Sequence, residues 1–429
     1  MKNNLLLTLT LFPPLSIIVA TDVQHSTCKD FLDVAIVGSG PGGLSAAIAL
    51  SKLPNIEKIN IFERASAFRP IGAALTLNTL AYEALKDLDE KVHDHILKLG
   101  SNPKHHILQR PSGEILFNDE SMFYETDVHW MAWYDLQTAL KGFLPSDKVS
   151  IQLNSKLVDF HEDEENGVVS LSFENGDIVK TRMLIGADGY KSVVREKTVG
   201  DGKPIYTGAM TWRGVMDRSY FDSIVDMQEF HDMKDDVNLF ICGNGMGFWV
   251  MDCGSGKIAW TGNALYENEN PSSESTTTVI TRALEVFKTW PSIIETLVRS
   301  TEETAIVESG VYDRDPVTSW GVSNGRYKRS TLLGDAAHPM RPALGLGGTM
   351  AFHDSSCLAK KLSGIDMKNT EEVAMALKAY EKERIATTTP IIIKSREVGQ
   401  FSNSEKDVAG QYLQRLETSL EDRKKLRAK

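Results

Sequence analysis

The sequence has little of several features that would point to other classes of protein. It contains four cysteines among 429 residues, and no spacing of cysteine and histidine is typical of a metal site. We therefore predict no metal and no disulfide framework. The formal net charge is -11, so binding to nucleic acid has no electrostatic support. Internal repeats are absent from the sequence as well.

Long apolar runs are also lacking, except at the N-terminus. Lys2 precedes an apolar run over residues 5–20, and polar residues follow it. This order is typical of a secretory signal. It predicts a signal peptide at 1–20 and entry into the secretory pathway or an organelle reached through it. Two prolines interrupt the run and it is shorter than ~18 residues, so no stable membrane span is predicted. An uncleaved, membrane-associated anchor and peripheral membrane contact stay open as alternatives.

A glycine loop follows the next apolar segment of the chain. Residues 31–37 predict a buried parallel strand, and Gly38, Gly40 and Gly43 come directly after it. Gly38 would permit a tight turn, Gly40 a close approach of the backbone to a pyrophosphate, and Gly43 close packing of the next helix. This pattern predicts a dinucleotide site.

An acidic residue stands where such a site needs it. Glu63 ends the next predicted strand, about 20 residues beyond the last glycine, where a carboxylate binds a ribose hydroxyl. Arg64 follows and would reach a phosphate or the adenine side. The combination of strand, loop, helix and acid favours a cofactor site over an accidental turn.

Two later segments place carboxylates after strands in a similar way. Asp188 and Gly189 follow a predicted strand and precede Arg195 at the start of a helix, an arrangement that an ordinary N-capped turn would also produce. Asp335 lies at the end of another predicted buried strand, where it would accept a hydrogen bond from a sugar-like hydroxyl. His338, in the same segment, is interpreted as a structural residue that bonds its own loop.

Three further glycines open an apolar helical run after Asp335. They are Gly345, Gly347 and Gly348. The free amide N–H groups of a helix N-terminus bind partial negative charge. A carboxylate for the ribityl chain and amides for the electron-rich pyrimidine edge suit a flavin, so we predict FAD as the cofactor.

The predicted fold class is α/β, a GxGxxG Rossmann-like FAD-binding domain with an inserted antiparallel β-sheet substrate domain and C-terminal helices. The insert is indicated between residues 207 and 264 by strand candidates rich in Trp, Val and Phe, which glycine turns separate. The predicted division is 30–105, 130–200 and 310–365 for the FAD-binding domain, 106–129 and 205–305 for the substrate domain, and 366–429 for the C-terminal helices, with a break at Pro390.

The three motifs, in this order, resemble the fingerprints of class A flavoprotein monooxygenases, the para-hydroxybenzoate hydroxylase-like family. Residues 209–214 look like the strand that opens the substrate sheet in salicylate hydroxylase-like and zeaxanthin epoxidase-like members. The resemblance implies that Glu63 holds the adenosine ribose and Asp335 the ribityl chain. It also implies that Asp188 belongs to a block linked to both FAD and NAD(P)H, and that the amides of 345–348 face the isoalloxazine.

The implied function is an FAD-dependent monooxygenase that uses NAD(P)H and O2 to hydroxylate or epoxidise an aromatic or isoprenoid small molecule through a flavin hydroperoxide. One alternative is a flavin-dependent oxidoreductase that does not activate oxygen. Another is a catalytically silent flavin-binding paralogue. Two departures from the family pattern motivate it, because Trp133 stands where an arginine that contacts FAD is usual and Leu346 where glutamine is common.

The candidate catalytic residues are Arg213, Arg341 and Pro342. Arg213 would pair with a substrate carboxylate or with the flavin's surroundings, and a structural role across the sheet is an equal alternative. Arg341 and Pro342 fall in the loop expected beside the flavin. Arg213 favours an aromatic acid as substrate, whereas residues 345–351 look more like the epoxidase variant and favour an apolar polyene.

Overall fold

The computed structural model describes residues 31–70, 73–103, 105–119, 128–225, 238–269, 271 and 276–398. The predicted signal peptide and the last part of the predicted C-terminal helices, 399–429, lie outside the described residues. No helix within those described ranges is long and apolar enough to cross a membrane.

The strands, numbered in chain order, are β1 Leu32–Val37, β2 Ile59–Phe62, β3 Ala74–Leu77, β4 His106–Gln109, β5 Ile115–Asp119, β6 His129–Ala132, β7 Val149–Gln152, β8 Leu157–Asp163, β9 Val168–Phe173, β10 Ile178–Gly186, β11 Ile205–Asp217, β12 Asn238–Gly243, β13 Met246–Asp252, β14 Lys257–Leu265, β15 Val307–Asp313 and β16 Ser330–Leu332. The helices are α1 Pro41–Ser51, α2 Thr79–Leu88, α3 Glu90–Leu99, α4 Trp133–Gly142, α5 Val193–Thr198, α6 Arg218–Ile224, α7 Val279–Val286, α8 Ser292–Ser300, α9 Gly347–Leu362 and α10 Thr370–Val398. Short 3-10 helices span Glu303–Ala305, Gly334–Ala336 and Pro342–Leu344.

The first sheet has the strand order β7-β2-β1-β10-β9-β8, and β16 also pairs with β10. Strands β2, β1, β10 and β16 are parallel, whereas β8 and β9 add antiparallel pairs. Val34, Ala35 and Ile36 of β1 are fully buried because both faces of this strand are covered. The carboxyl ends of β1, β10 and β16 therefore meet at one edge, which brings the three motifs together.

The second sheet has the order β15-β11-β14-β13-β12-β4-β5. Its pairs are antiparallel as predicted, except that β12 and β4 are parallel. One face packs on α7 and α8, where buried Trp212, Phe248 and Trp260 meet Phe287. The sheet extends beyond the predicted boundary at residue 305, since β15 pairs with β11 along its length and Asp313 lies opposite Ile205.

The predicted break at Pro390 is wrong, because α10 continues through this residue. A proline inside a helix removes one hydrogen bond, which packing on both sides of it offsets here. Before Pro390, Tyr380 donates to the carbonyl of Leu332 at 3.0 Å. After it, Ile391 and Ile392 are buried. The helix therefore stays attached to the core along most of its length.

Candidate active site

In the glycine loop between β1 and α1, two glycines leave no room for a side chain and the third has open space beside it. Gly38 has a φ of +106°, and a Cβ on it would lie 2.2 Å from the carbonyl oxygen of Ala187. A Cβ on Gly43 would lie 2.0 Å from the carbonyl oxygen of Gly38. Gly40 caps α1, and no atom stands within 4 Å of its Cβ position. The loop thus presents open backbone at a helix N-terminus, which fits a diphosphate.

Glu63 is turned towards this loop from the end of β2. Its Oε2 accepts hydrogen bonds from the backbone N–H and the hydroxyl of Ser39, at 3.0 and 2.7 Å, and its Oε1 accepts from Ala65 N–H at 2.9 Å. The carboxylate keeps acceptor capacity beyond these bonds, which fits a ribose hydroxyl. Arg64 is exposed, and its side chain forms no hydrogen bond or ion pair with the described residues of the loop.

Asp188 lies beside the same loop. Its Cα would be 3.0 Å from a Cβ on Gly38, and its Oδ2 accepts from the N–H of Val193 at 2.8 Å. The other oxygen, Oδ1, is buried and has no hydrogen-bond partner among the described residues, and burial raises the pKa of this carboxyl. Gly189, with a φ of +80°, has open space at its Cβ position. An orphaned acceptor next to open backbone fits a cofactor hydroxyl.

Asp335 lies near the N-terminus of α9. Asp335 is exposed to solvent over part of its surface. The surrounding protein nevertheless desolvates its carboxyl group, and this raises the pKa of Asp335. Its Oδ1 is the nearest atom to the Cβ position of Gly347, at 3.8 Å, and nothing lies within 4 Å of the Cβ position of Gly348. Gly345, just before the helix, has a φ of +61°. A carboxylate and open helix amides thus meet in one place, as flavin binding requires.

A buried ionic network that sequence reasoning missed supports this third segment. Asp354 of α9 accepts the N–H of Gly334 at 2.9 Å, His338 Nε2 lies 2.6 Å from its Oδ2, and Arg384 Nε of α10 donates to its Oδ1 at 2.6 Å. Burial opposes ionisation, but His338 and Arg384 hold the pKa of Asp354 well below its ordinary value. His338 is structural as interpreted, although its partner lies on α9 rather than in its own loop.

Arg195 joins the second segment to the third. Its buried guanidinium donates to the carbonyls of Ala336 and Ala337, at 3.2 and 2.5 Å, and pairs with Asp201 at 2.7 Å. The sequence predicts Arg195 at the start of a helix, and it lies in the first turn of α5. The two carbonyls that it binds are more than 140 residues away in the chain, so sequence spacing gave no signal for them.

Four side chains of the second sheet, one from each of four neighbouring strands, form a row on the face that packs against β3 and β6. Arg213 lies opposite Thr261, Thr261 opposite Trp249, and Trp249 opposite Phe240, so the four share one face. The opposite face packs on α7 and α8. On the row's own face, Trp249 packs with residues of β3 and β6, such as Ala132. The row runs from the cationic side chain of Arg213 to the apolar ring of Phe240, a distance of about 14 Å across the four strands.

Arg213 is a desolvated cation without an acidic partner. One of its terminal nitrogens donates to the hydroxyl of Ser309 at 2.6 Å. Its Nε is buried with no hydrogen-bond partner, and no ion pair to it occurs in the described part of the chain. Burial lowers the pKa of this guanidinium. Because an unpaired buried charge is costly, this site suits an anionic group of a bound molecule.

Arg341 and Pro342 lie in the segment between Asp335 and α9. Arg341 Nε is 3.5 Å from Asp313 Oδ2, and its backbone N–H donates to Ser395 Oγ at 3.2 Å. Pro342 is exposed and starts the 3-10 turn that leads to Gly345. The structure therefore connects Arg341 to β15 and α10, whereas Arg213 lies on the sheet face.

Trp133, the departure from the family pattern, is the first residue of α4 and is half-buried. Gln137, one turn later on the same helix face, donates to the carbonyl of Ser39 at 2.9 Å. This face of α4 therefore borders the glycine loop. Metal-type clusters of three or more His, Cys, Asp or Glu do not occur in the ranges that the structure describes.

Comparison with known proteins gives a consistent picture. The family described as FAD binding domain matches residues 32–394. The chain is 28% identical to the aurachin C monooxygenase/isomerase of Stigmatella aurantiaca, over 88% of this chain and 91% of that protein. It is 30% identical to the chloroplastic zeaxanthin epoxidase of an Oncidium hybrid cultivar, over 82% of this chain and 52% of that protein, so it spans about half of that relative's length.

A solved structure shares the fold. Klebsiella pneumoniae HpxO, in complex with FAD and uric acid, superposes with a TM-score of 0.71 at 20% identity, over 90% of this chain and 93% of that one. The predicted α/β fold class and FAD as cofactor are confirmed, together with NAD(P)H as the co-substrate typical of these proteins. The chain belongs to the FAD binding domain family and is an FAD-dependent class A flavin monooxygenase.

Proposed function

We propose that this monooxygenase uses NAD(P)H and O2 to hydroxylate a flat aromatic molecule that carries an acidic group. The observation that carries the proposal is Arg213, a half-buried arginine whose Nε is buried and which has no carboxylate partner among the described residues, on the sheet face turned towards β3 and β6. An acidic substituent would supply the missing charge, and the ring would lie along the row towards Trp249.

The residues that would hold FAD are present and fit it. Open backbone at Gly40 would take the diphosphate, Glu63 the adenosine ribose, and Asp335 the ribityl hydroxyls. The amides at Gly347 and Gly348 would stabilise negative charge on the flavin ring. The chemistry that bound FAD supplies is two-electron reduction by NAD(P)H and transfer of one oxygen atom from O2, the second leaving as water.

The protein's own contribution is position and exclusion of water. Arg213 would fix the acidic group at one end of the row, and Thr261 offers a hydroxyl for a second hydrogen bond. Trp249 and the buried apolar residues around it would keep water from the reacting ring. Because Arg213 is anchored on Ser309, the acid and the ring would be held in one orientation.

A second candidate substrate is an isoprenoid, which the apolar end of the row favours. The rings of Trp249 and Phe240 are stacked with their centroids 4.0 Å apart, and buried Leu108 continues the row. A zeaxanthin epoxidase is among the relatives. In this case the oxygen atom would be added across a double bond, and Arg213 would bind no substrate charge.

Matched pairs of ligands separate the two candidates. Aromatic carboxylic acids and their carboxamides are titrated into the FAD-loaded protein, with the flavin spectrum and NAD(P)H-dependent oxygen uptake as readouts. We expect acids to bind at least tenfold better than amides, and Arg213→Gln to abolish this preference. Arg299→Gln, which removes an exposed arginine, is the control. Equal binding of acids and amides would contradict the proposed substrate class, and a lack of oxygen uptake would indicate an oxidoreductase that does not activate oxygen.

We also propose that residues 1–20 direct the chain into the secretory pathway. The support is the order of charge, apolar run and polar flank in the sequence. A fluorescent reporter fused behind residues 1–30 should enter that pathway, and the same fusion without residues 1–20 should not. A cytosolic reporter in both cases would contradict the proposal.

A further inference from the structure

The turn between β13 and β14 is closed by its own hydrogen bonds. Asp252 Oδ1 accepts the N–H of Gly254 at 2.8 Å, and the N–H of Lys257 donates to the carbonyl of Gly254 at 3.0 Å. The three residues 254–256 all have positive φ values, between +52° and +76°. We call residues 252–257 the hairpin turn. It connects the two strands that supply the middle of the row on the sheet face.

The hairpin turn lies directly against the end of α3. A Cβ on Gly254 would lie 2.0 Å from the carbonyl oxygen of Leu99 and 2.9 Å from the carbonyl carbon of Gly100, so backbone meets backbone here. Ser255 Oγ donates to the same Leu99 carbonyl at 3.4 Å. A side chain at position 254 would push the hairpin away from α3. The glycine therefore allows the second sheet to approach this helix closely.

One ion pair connects the hairpin turn to α4. Lys257 Nζ donates to Asp135 Oδ1 at 2.5 Å, and the two side chains are 26% and 14% exposed. Asp135 lies in the first turn of α4. Its other oxygen, Oδ2, is buried without a hydrogen-bond partner, and Lys257 is the only cation paired with it in the described part of the chain. A desolvated carboxylate with a single cationic partner holds that partner in place.

Helix α4 continues from this ion pair to the FAD site. Gln137, which follows Asp135 by two residues, donates to the carbonyl of Ser39 in the glycine loop at 2.9 Å. The backbone N–H and the hydroxyl of Ser39 donate to Glu63, the residue that would hold the adenosine ribose. One short helix therefore connects the hairpin of the second sheet with the loop that would hold the diphosphate.

The rest of the contact between the second sheet and the strands β3 and β6 is apolar. Its buried cluster consists of Ala132, Met251, Cys253 and Ala259. Apolar packing is non-directional, so by itself it does not fix one surface at a single position on the other. The ion pair and the backbone contact are directional. They are therefore the features that set the position of the row relative to the glycine loop.

We propose that Lys257 and Asp135 are positioning residues that hold the bound substrate within reach of the flavin, so that NAD(P)H oxidation yields hydroxylated product instead of hydrogen peroxide. This inference rests on the proposed function. In the productive reaction NAD(P)H supplies two electrons, one oxygen atom of O2 enters the substrate, and the other leaves as water. When the ring is held out of reach, the same two electrons and two protons convert O2 to H2O2. A displacement of about 1 Å can cost about a hundredfold in rate, so a small shift of the sheet is enough.

The test compares Lys257→Met with the wild type in the FAD-loaded protein. Benzoate, salicylate, 3-hydroxybenzoate and 4-hydroxybenzoate are the probes, and NAD(P)H oxidation, hydroxylated product and H2O2 are measured together. We expect product per NAD(P)H to fall about three- to tenfold, with H2O2 accounting for the missing electrons. The rate of NAD(P)H oxidation and the Kd for FAD should stay within about twofold. Lys257→Arg, which keeps the charge, should recover most of the product yield.

A second readout needs no substrate. Cys253 of the hairpin turn is fully buried, so a turn that separates from α3 and α4 exposes its thiol. We expect alkylation of Cys253 by iodoacetamide, followed by peptide mass spectrometry, to become at least about threefold faster in Lys257→Met. Asp135→Asn should show both effects. The double variant should be no worse than either single variant, because the two residues act as a pair.

Arg182→Met is the matched control. Arg182 pairs with Asp33 at 3.2 Å, and their side chains are 24% and 20% exposed, but both residues belong to the first sheet. This variant should change neither product yield nor alkylation of Cys253.

The outcomes separate the positioning role from the proposed function. A product yield in Lys257→Met equal to that of the wild type would overturn the inference, even if the thiol of Cys253 became more reactive. A wild type that hydroxylates none of the probes would instead contradict the proposed function. In that case faster alkylation in Lys257→Met would support the positioning role, and unchanged alkylation would overturn it.

Discussion

Asp354 Oδ2 lies 2.6 Å from His338 Nε2, and this contact joins the loop of the third motif to the helix that follows it. The other carboxylate oxygen accepts from Arg384, so one buried acid connects three parts of the chain. Asp354→Asn leaves Arg384 and His338 without the charge that they face. We expect the free energy of unfolding in urea to fall by about 3–5 kcal/mol.

A control and a rescue make this expectation specific. Asp94→Asn removes an exposed carboxylate beside His93 and should cost under about 1 kcal/mol. Replacing both partners, as Asp354→Asn with Arg384→Met, should recover part of the loss, because no buried charge is then unpaired. A loss no larger than that of Asp94→Asn would show that the network is not stabilising.

The same acid sets a dependence of stability on pH. The pKa of Asp354 in the folded chain lies well below its ordinary value, so its contribution is complete above the unfolded pKa of about 4. The contribution is lost as the pH falls from there towards the folded pKa. We therefore expect the difference in Tm between the wild type and Asp354→Asn to be constant from pH 5 to 7 and to narrow below about pH 4. A difference that widens in acid would contradict this assignment.

Two glycines of one loop should respond differently to the same substitution. Gly40 has a φ of -67° and open space around its Cβ position, so Gly40→Ala should fold with an unchanged Tm when FAD is absent. Its methyl group would occupy the approach of the diphosphate, and the Kd for FAD should rise at least about tenfold. Gly43→Ala should fail to fold, because its Cβ would lie 2.0 Å from a backbone oxygen. Equal FAD affinity for Gly40→Ala and the wild type would place the diphosphate elsewhere.

Replacing Trp133 by the arginine that is usual in the family tests what this position contributes to FAD binding. It begins the face of α4 that contacts the glycine loop through Gln137. A charge-assisted hydrogen bond is worth about 1.5–3 kcal/mol, so Trp133→Arg should lower the Kd for FAD about tenfold or more. Trp133→Gln, which adds polarity without charge, is the control and should not tighten binding. Weaker FAD binding by Trp133→Arg would mean that the tryptophan itself contacts the cofactor.

Local signals in the sequence were enough to predict the nucleotide-binding half of the fold. Strand β1, the glycine loop and Glu63 lie within one short segment, and each of them has a local cause, such as burial of a strand or the absence of a side chain. The order of the motifs then indicated that Asp188 and Asp335 return to the same edge. Parallel strands β10 and β16 place them there.

Interactions between distant residues were not predictable in the same way. Arg384 and Asp354 are buried partners on two helices, and nothing in their spacing indicated the pair. The continuity of α10 through Pro390 depends on packing against the core, which outweighs the local preference of proline. The cross-strand row from Arg213 to Phe240 likewise needed the register of four strands, which turns and bulges set.

The measurement that tests the central claim most directly is the absorption spectrum of the purified protein, before and after anaerobic addition of NADPH or NADH and then of oxygen. The account predicts flavin bands that bleach with the reductant and return with oxygen, with hydroxylated product when an acidic aromatic substrate is present. A colourless protein that does not take up added FAD would contradict it.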